Sequence, residues 1–409
     1  MRFLIFAPIL AAMPASALAK PLRFEEALAS AATNGASVEA GRLEIEARRV
    51  AATAAGQWPD PKVGLSIENF PISGPPAFSL DGDSMTMGRV SLSQEVPSSA
   101  KRLARVGRAT ADIAEARATR EVSLREAQVA AGVAWVDLAS AQQRLSAVDF
   151  AIGKISAYRG AGVAGVASGT VRPAQTLETR TAIAQLEDAR AEILAQRNQA
   201  RARLTRWTGD ADPAAVGPLP SPTLDPQALE QGIPSLPQIG LENARVQQAR
   251  SDVSLAEADK RPDWMFDVAY EKRASRYGDM ISAGVTVSLP LFPGRRQNPV
   301  IASRLASSQA AASRREDARR AIAEELKVSF ADHVMHHDQW MRARDTLLPL
   351  ARDRADLEVA SYAAGRASIQ DVVTARIAAV EAQLLVLERE AAVTRDAVRI
   401  NLTFGGAER

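Results

Sequence analysis

The sequence predicts a mainly α-helical chain with a small β part, built twice from one plan. Three observations carry that expectation. The chain contains an internal repeat, it has four short segments of alternating hydrophobicity, and its proline-free helical stretches exceed what a globular domain needs.

The repeat organises everything else. Gln57-Trp58-Pro59-Asp60-Pro61-Lys62 returns as Lys260-Arg261-Pro262-Asp263-Trp264-Met265, an offset of 203. Further on the offset is 196: Gly88 answers Gly284, Gly169 answers Gly365, and Trp207-Thr208-Gly209 answers Thr403-Phe404-Gly405. The first copy carries seven extra residues in the Pro/Gly-rich stretch Ile72 to Asp83. Each copy reads helix, strand, strand, long helix, helix. The first helix is expected over Phe24 to Ala55 and again over Leu236 to Asp259.

The strands are expected at residues 62–70 and 85–95, then at 264–272 and 281–289. Val63, Leu65 and Ile67 alternate with Gly64, Ser66 and Glu68; Trp264, Phe266, Val268 and Tyr270 alternate with Met265, Asp267 and Ala269. Period-two alternation gives one apolar and one polar face. Nine to eleven such residues suit a transmembrane β-strand, and a soluble hairpin packed on a helix reads equally well. Between Met87 and Val90 the apolar parity changes, which predicts a bulge near Gly88. Four strands cannot close a barrel, and lipid tolerates no open edge. If the strands span a membrane, several chains must pool them, and three chains give twelve.

The long helices follow. Ser98 to about Val163 contains no proline, and neither does Val300 to Thr346, with Pro349 the only interruption before Ala364. Sixty residues at about 1.5 Å each make a helix of roughly 90 Å. Leu145, Val148, Ile152 and Ile155, and Ile369, Val373, Ile377, Val380, Leu384 and Leu387, step by threes and fours, the spacing of a coiled-coil seam. A turn near Gly169 and another at Gly365 send each long helix back, so each copy pairs two strands with an antiparallel helical hairpin. The hairpins span 98–209 and 296–403.

The first residues set the compartment. Met1-Arg2, the apolar run Phe3 to Ala12 and Ala17-Leu18-Ala19 form a secretory signal peptide cleaved after Ala19. The domain plan is therefore 1–19 signal peptide, 20–211 first repeat, 212–237 connector and 238–409 second repeat. Seven prolines in the connector predict irregular backbone. Charge is balanced, 50 basic against 48 acidic residues, with no basic–aromatic cluster, so nucleic acid is not implied. There is no cysteine, hence no disulfide, thiolate metal site or lipidated N-terminal cysteine. No phosphate-binding loop, nucleophile elbow or zinc-protease motif occurs, so neither an enzyme nor a cofactor is expected.

The repeated pattern resembles the TolC-type outer-membrane efflux family from Pro21 to Gly405. Pro59-Asp60-Pro61, Ile67-Glu68-Asn69, Ser93-Gln94-Glu95-Val96-Pro97 with Lys101-Arg102, and Ser288-Leu289-Pro290-Leu291-Phe292 look most like the outer-membrane components of heavy-metal cation efflux systems, of the cobalt–zinc–cadmium or copper–silver type. Ala100 stands where that subgroup has glycine. The resemblance implies a homotrimer in the Gram-negative outer membrane, in contact with outer-membrane lipid. It further implies a twelve-stranded β-barrel continuing into a periplasmic α-barrel tunnel, a periplasmic adaptor protein and an inner-membrane RND transporter as partners. It also places a gate just after the helical turns. Asp371 matches the first gate carboxylate, Thr374 the second position, and Gln175 and Glu178 their counterparts in the first copy. The alternative for these acids is an exposed helix surface.

Two further groups stand out. His333, His336 and His337 share a helix face, with Met335 and Met341 nearby, which suits a transient metal contact or a plain polar cluster. Trp264 and Tyr270 are expected in an interfacial belt, and Trp58, Phe70 and Phe292 in packing between strands and helices. Arg102, Arg105 and Arg108 either line the strand–helix junction or pair with acids. Two functional alternatives stay open: the same channel serving multidrug or type I protein export, and a soluble periplasmic coiled-coil scaffold or metal-binding protein.

Overall fold

The computed structural model describes residues 20–157, 160, 167 and 172–405. The signal-peptide stretch and the turn containing Gly169 lie outside the described residues. In chain order the elements are β1 (Lys20–Leu22), α1 (Phe24–Asn34), α2 (Ala36–Ala55), β2 (Lys62–Glu68), β3 (Met87–Val96), α3 (Ser99–Ser156), α4 (Pro173–Thr208), β4 (Pro213–Ala215), α5 (Pro226–Gly232), α6 (Pro237–Ala258), β5 (Asp263–Arg273), β6 (Met280–Ser288), α7 (Gln297–Arg342), α8 (Leu348–Ala363) and α9 (Ile369–Phe404). Among the described residues, no helix is long and apolar enough to cross a membrane. Two compact units share the chain: Met1–Glu39, Ser123–Leu236 and Ile322–Arg409 form one, and Ala40–Val122 with Pro237–Ala321 the other.

The first unit is built on small residues. Ala127, Ala131, Ala134, Ala139 and Ala200 are buried around Trp135, Leu138 and Leu204. A Cβ on Gly132 would sit 3.0 Å from Leu402 and 3.1 Å from Val398, so the α3 and α9 backbones approach closely only because that residue is glycine. Trp135 is fully buried, stacks edge-on against Phe24 at 5.5 Å, and donates its indole N–H to the Leu22 carbonyl at 2.7 Å. That bond ties down β1, which pairs in parallel with β4 through Leu22 and Ala215. The connector is thus less irregular than its prolines predict. Pro213 opens a strand, and Pro226 takes the first turn of α5, where the missing N–H costs nothing, behind an Asp225 N-cap.

Further along, Val148 and Ile155 of α3 pack with Ile183, Leu186 and Ile193 of α4 and with Val373 of α9. The stepped apolar positions on α3 and α9 therefore share one cluster. Two interruptions differ from the expected helices. The first helix breaks at Gly35, whose ψ of 118° leaves the helical region. The helix through Pro349 does not stop. It widens into a π-turn over Ala343–Leu347, where Leu348 N–H reaches back to the Ala343 carbonyl. That extra residue accommodates the ring that would clash with the preceding turn.

The second unit holds one four-stranded antiparallel sheet of order β2-β3-β5-β6. The strand ladder runs unbroken through Met87, Gly88 and Arg89 against both neighbours. There is no bulge at Gly88. Met87 belongs to the polar-face row and is buried there, which produces the parity change seen in the sequence. Asn69, at φ +52°, turns the chain out of β2.

Candidate channel surfaces and gate residues

Register decides what each face of the sheet presents. Leu65 pairs with Val90 and Val90 with Tyr270; Leu92 pairs with Val63 and Val268; Phe266 pairs with Val285 and Tyr270 with Ile281. These residues form one apolar surface across four strands, and it is the exposed one: Leu65 is 80% accessible and Ile281 76%. Trp264 and Tyr270 end the apolar row of β5, six residues or about 20 Å apart. Trp58 and Phe292, expected to pack inward, are exposed as well, beside the outer strands β2 and β6.

The opposite face is polar and more shielded. Arg89 Nη1 donates to Glu68 Oε1 at 3.0 Å, and its Nη2 lies 3.8 Å from Asp267 Oδ2. Ser282 donates to Glu271, which is only 7% accessible. Gly284 leaves room for Asp267: a Cβ there would lie 2.5 Å from its Oδ1. Arg89, Asp267 and Glu271 were not singled out from the sequence. The signal was present, since they occupy the polar positions of the same alternation, but charge on one strand face has no meaning until register joins it to the next. The sheet ends in unpaired edges at β2 and β6 among the described residues.

At the helix-bearing end of this unit, Lys101 and the Ser98 backbone N–H both bind the Asp263 carboxylate, fastening the start of α3 to the start of β5. Gln94 donates to the Pro59 carbonyl at 2.8 Å. Arg108 pairs with Asp252 and Asp112, so it joins α3 to α6 as a partner of acids.

The positions matched to a gate in the sequence belong to the other unit. Gly365 has φ +71° and closes α8: its N–H bonds the Tyr362 carbonyl and Arg366 N–H the Ser361 carbonyl. This left-handed closure requires glycine at little cost. Asp371 and Thr374 follow, both exposed and one turn apart on α9. Asp371 forms a capping box with Ser368, accepting from its backbone N–H at 2.8 Å and its hydroxyl at 2.7 Å. Those two donors hold the Asp371 carboxyl below its ordinary value. Glu178 is exposed on α4, which also carries Gln175; Gly169 lies outside the described residues.

The three histidines part company. His336 Nδ1 meets Asp396 of α9 at 2.6 Å. His333 is buried, and burial pushes its imidazole below the usual value against the opposing pull of Asp396. His337 stacks near His333 at 6.4 Å and edge-on to Trp340 at 5.9 Å. Among the described residues, no group of three or more His, Cys, Asp or Glu side chains is placed to hold a metal ion.

Residues 233–406 match the family described as outer membrane efflux protein. No curated protein sequence matches the chain. Among solved structures, a membrane protein from Pseudomonas aeruginosa has TM-score 0.78 at 15% identity, over 94% of this chain and 90% of its own. The CmeC outer membrane channel of Campylobacter jejuni has TM-score 0.76 at 13% identity, covering 94% and 85%. CusC, described in connection with folding and transmembrane channel formation, has TM-score 0.77 at 14% identity, covering 94% and 92%. The chain has the mainly helical fold, with few strands, of these channel proteins.

Proposed function

We propose that this chain is one subunit of an outer-membrane efflux channel, a passive conduit from periplasm to exterior. The single observation that carries the reading is the inverted sheet. Its apolar face is bare and its polar face shielded, the reverse of a soluble sheet. An exposed apolar surface of that extent belongs in lipid.

The unpaired edges then set the assembly. Alternation along β2-β3-β5-β6 leaves β2 and β6 running in opposite directions, so β6 of one copy meets β2 of the next as another antiparallel pair. Such a head-to-tail contact must close into a ring. Three copies supply twelve strands, with Arg89, Asp267 and Glu271 facing the lumen. The helical hairpins form the periplasmic tunnel, and Asp371 with Glu178, Gln175 and Thr374 encircle its tip. Three-fold rings of like charge favour cations. Opening is an iris-like shift of the hairpins between two packings.

An adaptor joins this channel to an energised inner-membrane RND transporter. A groove of about 570 Å³ between α3 and α8–α9, lined by Phe150, Ala151, Lys154, Arg352, Arg376 and Val380, supports docking of a helical partner with an acidic face. Heavy-metal cations are the proposed cargo, on the strength of the strand-end sequences Pro59-Asp60-Pro61 and Ser93 to Pro97. The three histidines supply at most a passing contact for that cargo, through His333 and His337, because His336 is engaged by Asp396.

Outer-membrane fractions run on gels with and without heating test the assembly. A heat-modifiable trimer is expected, and a monomer released with soluble periplasmic proteins would end the reading. Replacing Asp371 and Glu178 by alanine should raise single-channel conductance in planar bilayers; unchanged conductance removes them from the gate. A deletion strain sensitive to dyes but not to metal salts would reassign the cargo.

A further inference from the structure

The loop between β2 and β3, residues 69–86, is far longer than its counterpart between β5 and β6, residues 274–279. It is also built to hold one shape. Asn69 donates to the Met85 carbonyl and Thr86 to the Asn69 carbonyl, clamping its base. Ser79 accepts from the N–H of Gly82 and donates to Asp81, and Asp83 accepts from the Met85 N–H. Its outer half is tied to the neighbouring turn: Arg276 donates to the Asp81 carbonyl and Arg273 to the Ser84 carbonyl. Arg273 stands in the polar-face row of β5, opposite Met87. The Arg273 tether draws the end of the loop toward the polar side of the sheet, where Met87 is buried.

Against that order, the side chains the loop presents are unexpected. Ile72, Leu80 and Phe78 are exposed, Phe78 to 76%. Phe78 adopts φ +59°, a region that a bulky residue enters only at a cost. Its N–H bonds the Pro71 carbonyl at 2.8 Å, and its ring meets Phe70 edge-on at 6.5 Å. A strained backbone that holds a large apolar ring out into open space needs a reason. Solubility is not one.

We propose that the β2–β3 loop is a rigid apolar collar at the outer mouth of the channel, with Phe78 its narrowing side chain. The inference rests on the channel reading above. The opposite ends of the strands lead into helices, which places this loop at the exterior end. Three copies bring three Phe78 rings around the axis. A narrow apolar ring at the mouth holds back large external molecules.

The chain lacks cysteine, which makes the test clean. Phe78→Cys is introduced into the full chain, and the purified trimer is inserted into planar bilayers. A cationic methanethiosulfonate reagent added on the loop side should lower conductance about twofold, and Cd²⁺ should block reversibly through converging thiolates. Leu65→Cys, on the lipid face, should conduct unchanged under the same reagents. Phe78→Gly, which suits the positive φ, should raise conductance while the trimer persists. Complete labelling at residue 78 with unaltered conductance, or labelling only by a membrane-soluble maleimide, overturns the collar and leaves the channel standing. Absence of conductance in the unmodified trimer overturns both.

Discussion

The two units solve opposite problems with the same alphabet. In the helical unit, apolar side chains turn inward: Trp135, Leu138 and Leu204 are fully buried. In the sheet unit the apolar rows of Val63, Leu65, Ile67, Val90 and Leu92 are bare, while Glu271 and Met87 on the other face are buried. On the proposed channel reading, one unit is organised by water outside it and the other by water within. Burial in a lone chain then means different things in the two places. On that reading an exposed leucine on the sheet is a contact awaiting lipid, whereas an exposed leucine on the helices must find protein or water.

The sharpest way to break this contrast is to truncate a residue that matters only if the helical unit has an ordinary core. Trp135→Ala empties a fully enclosed site and removes the donor to Leu22. A loss of about 3–5 kcal/mol is expected, read as a lowered urea midpoint by circular dichroism in detergent. Trp135→Phe should recover most of the packing and still release β1, detected as faster proteolysis near Leu22. If Trp135→Ala left the midpoint unmoved, the small-residue cluster would not be the core of that unit.

The next effect belongs to the other side of the contrast. Leu65→Arg puts a charge on the bare face and should cost about 2–4 kcal/mol at mid-membrane depth. Ser91→Arg, in the shielded polar row of the opposite face, should assemble almost normally and alter conductance instead. The fraction of heat-modifiable trimer in outer membranes measures both. Equal tolerance of the two substitutions would mean that the faces are not differently solvated.

Much of this contrast was legible before any coordinates, and the reason is periodicity. A strand alternates with a period of two, so Val63, Leu65 and Ile67 announce a face by themselves. Stepped positions such as Val148 and Ile155 likewise announce a seam. What periodicity cannot supply is the partner. The α3 seam meets both α4 and α9, and the network of Arg89, Glu68 and Asp267 appears only when three strands are in register. The bulge expected at Gly88 shows the limit from the other direction. Met87 is apolar, yet it sits in the shielded row, at the strand end where the β2–β3 loop is tied down beside it. Asp371 was readable as the match to a family gate carboxylate, a role that stays a proposal, but its capping box was not, because the box needs Ser368 to stand at the start of a helix.

That box sharpens the comparison at a smaller scale, by asking whether Asp371 acts through structure or through charge. Ser368→Ala removes the N-cap and should cost about 1 kcal/mol, with the carboxylate still present. Asp371→Asn leaves the N-cap hydroxyl in place and removes the charge. Conductance that rises with Asp371→Asn but not with Ser368→Ala assigns the gate to electrostatics; the reverse pattern assigns it to the fit of the α9 start. Two donors hold the Asp371 carboxyl low, so their stabilisation is complete above the ordinary carboxylate range and fades only as pH falls through the depressed value.

The smallest expected effect tests whether the helical interior is as dry as its burial implies. His333 lies between α7 and α9, with Asp396, His336 and His337 as its charged or titratable neighbours. Burial lowers its value and wins over the attraction of Asp396. As pH drops below about 6.5 the unfolded chain takes up a proton that the folded ring still refuses. Stability should thus be full above that pH and decline on acidification, levelling once the folded ring titrates as well. His333→Phe removes this slope, while His336 keeps its bond to Asp396 and serves as the internal control. Urea midpoints of the two proteins between pH 7 and 5 decide the matter. Parallel curves would mean that water reaches His333 where α7 packs on α9.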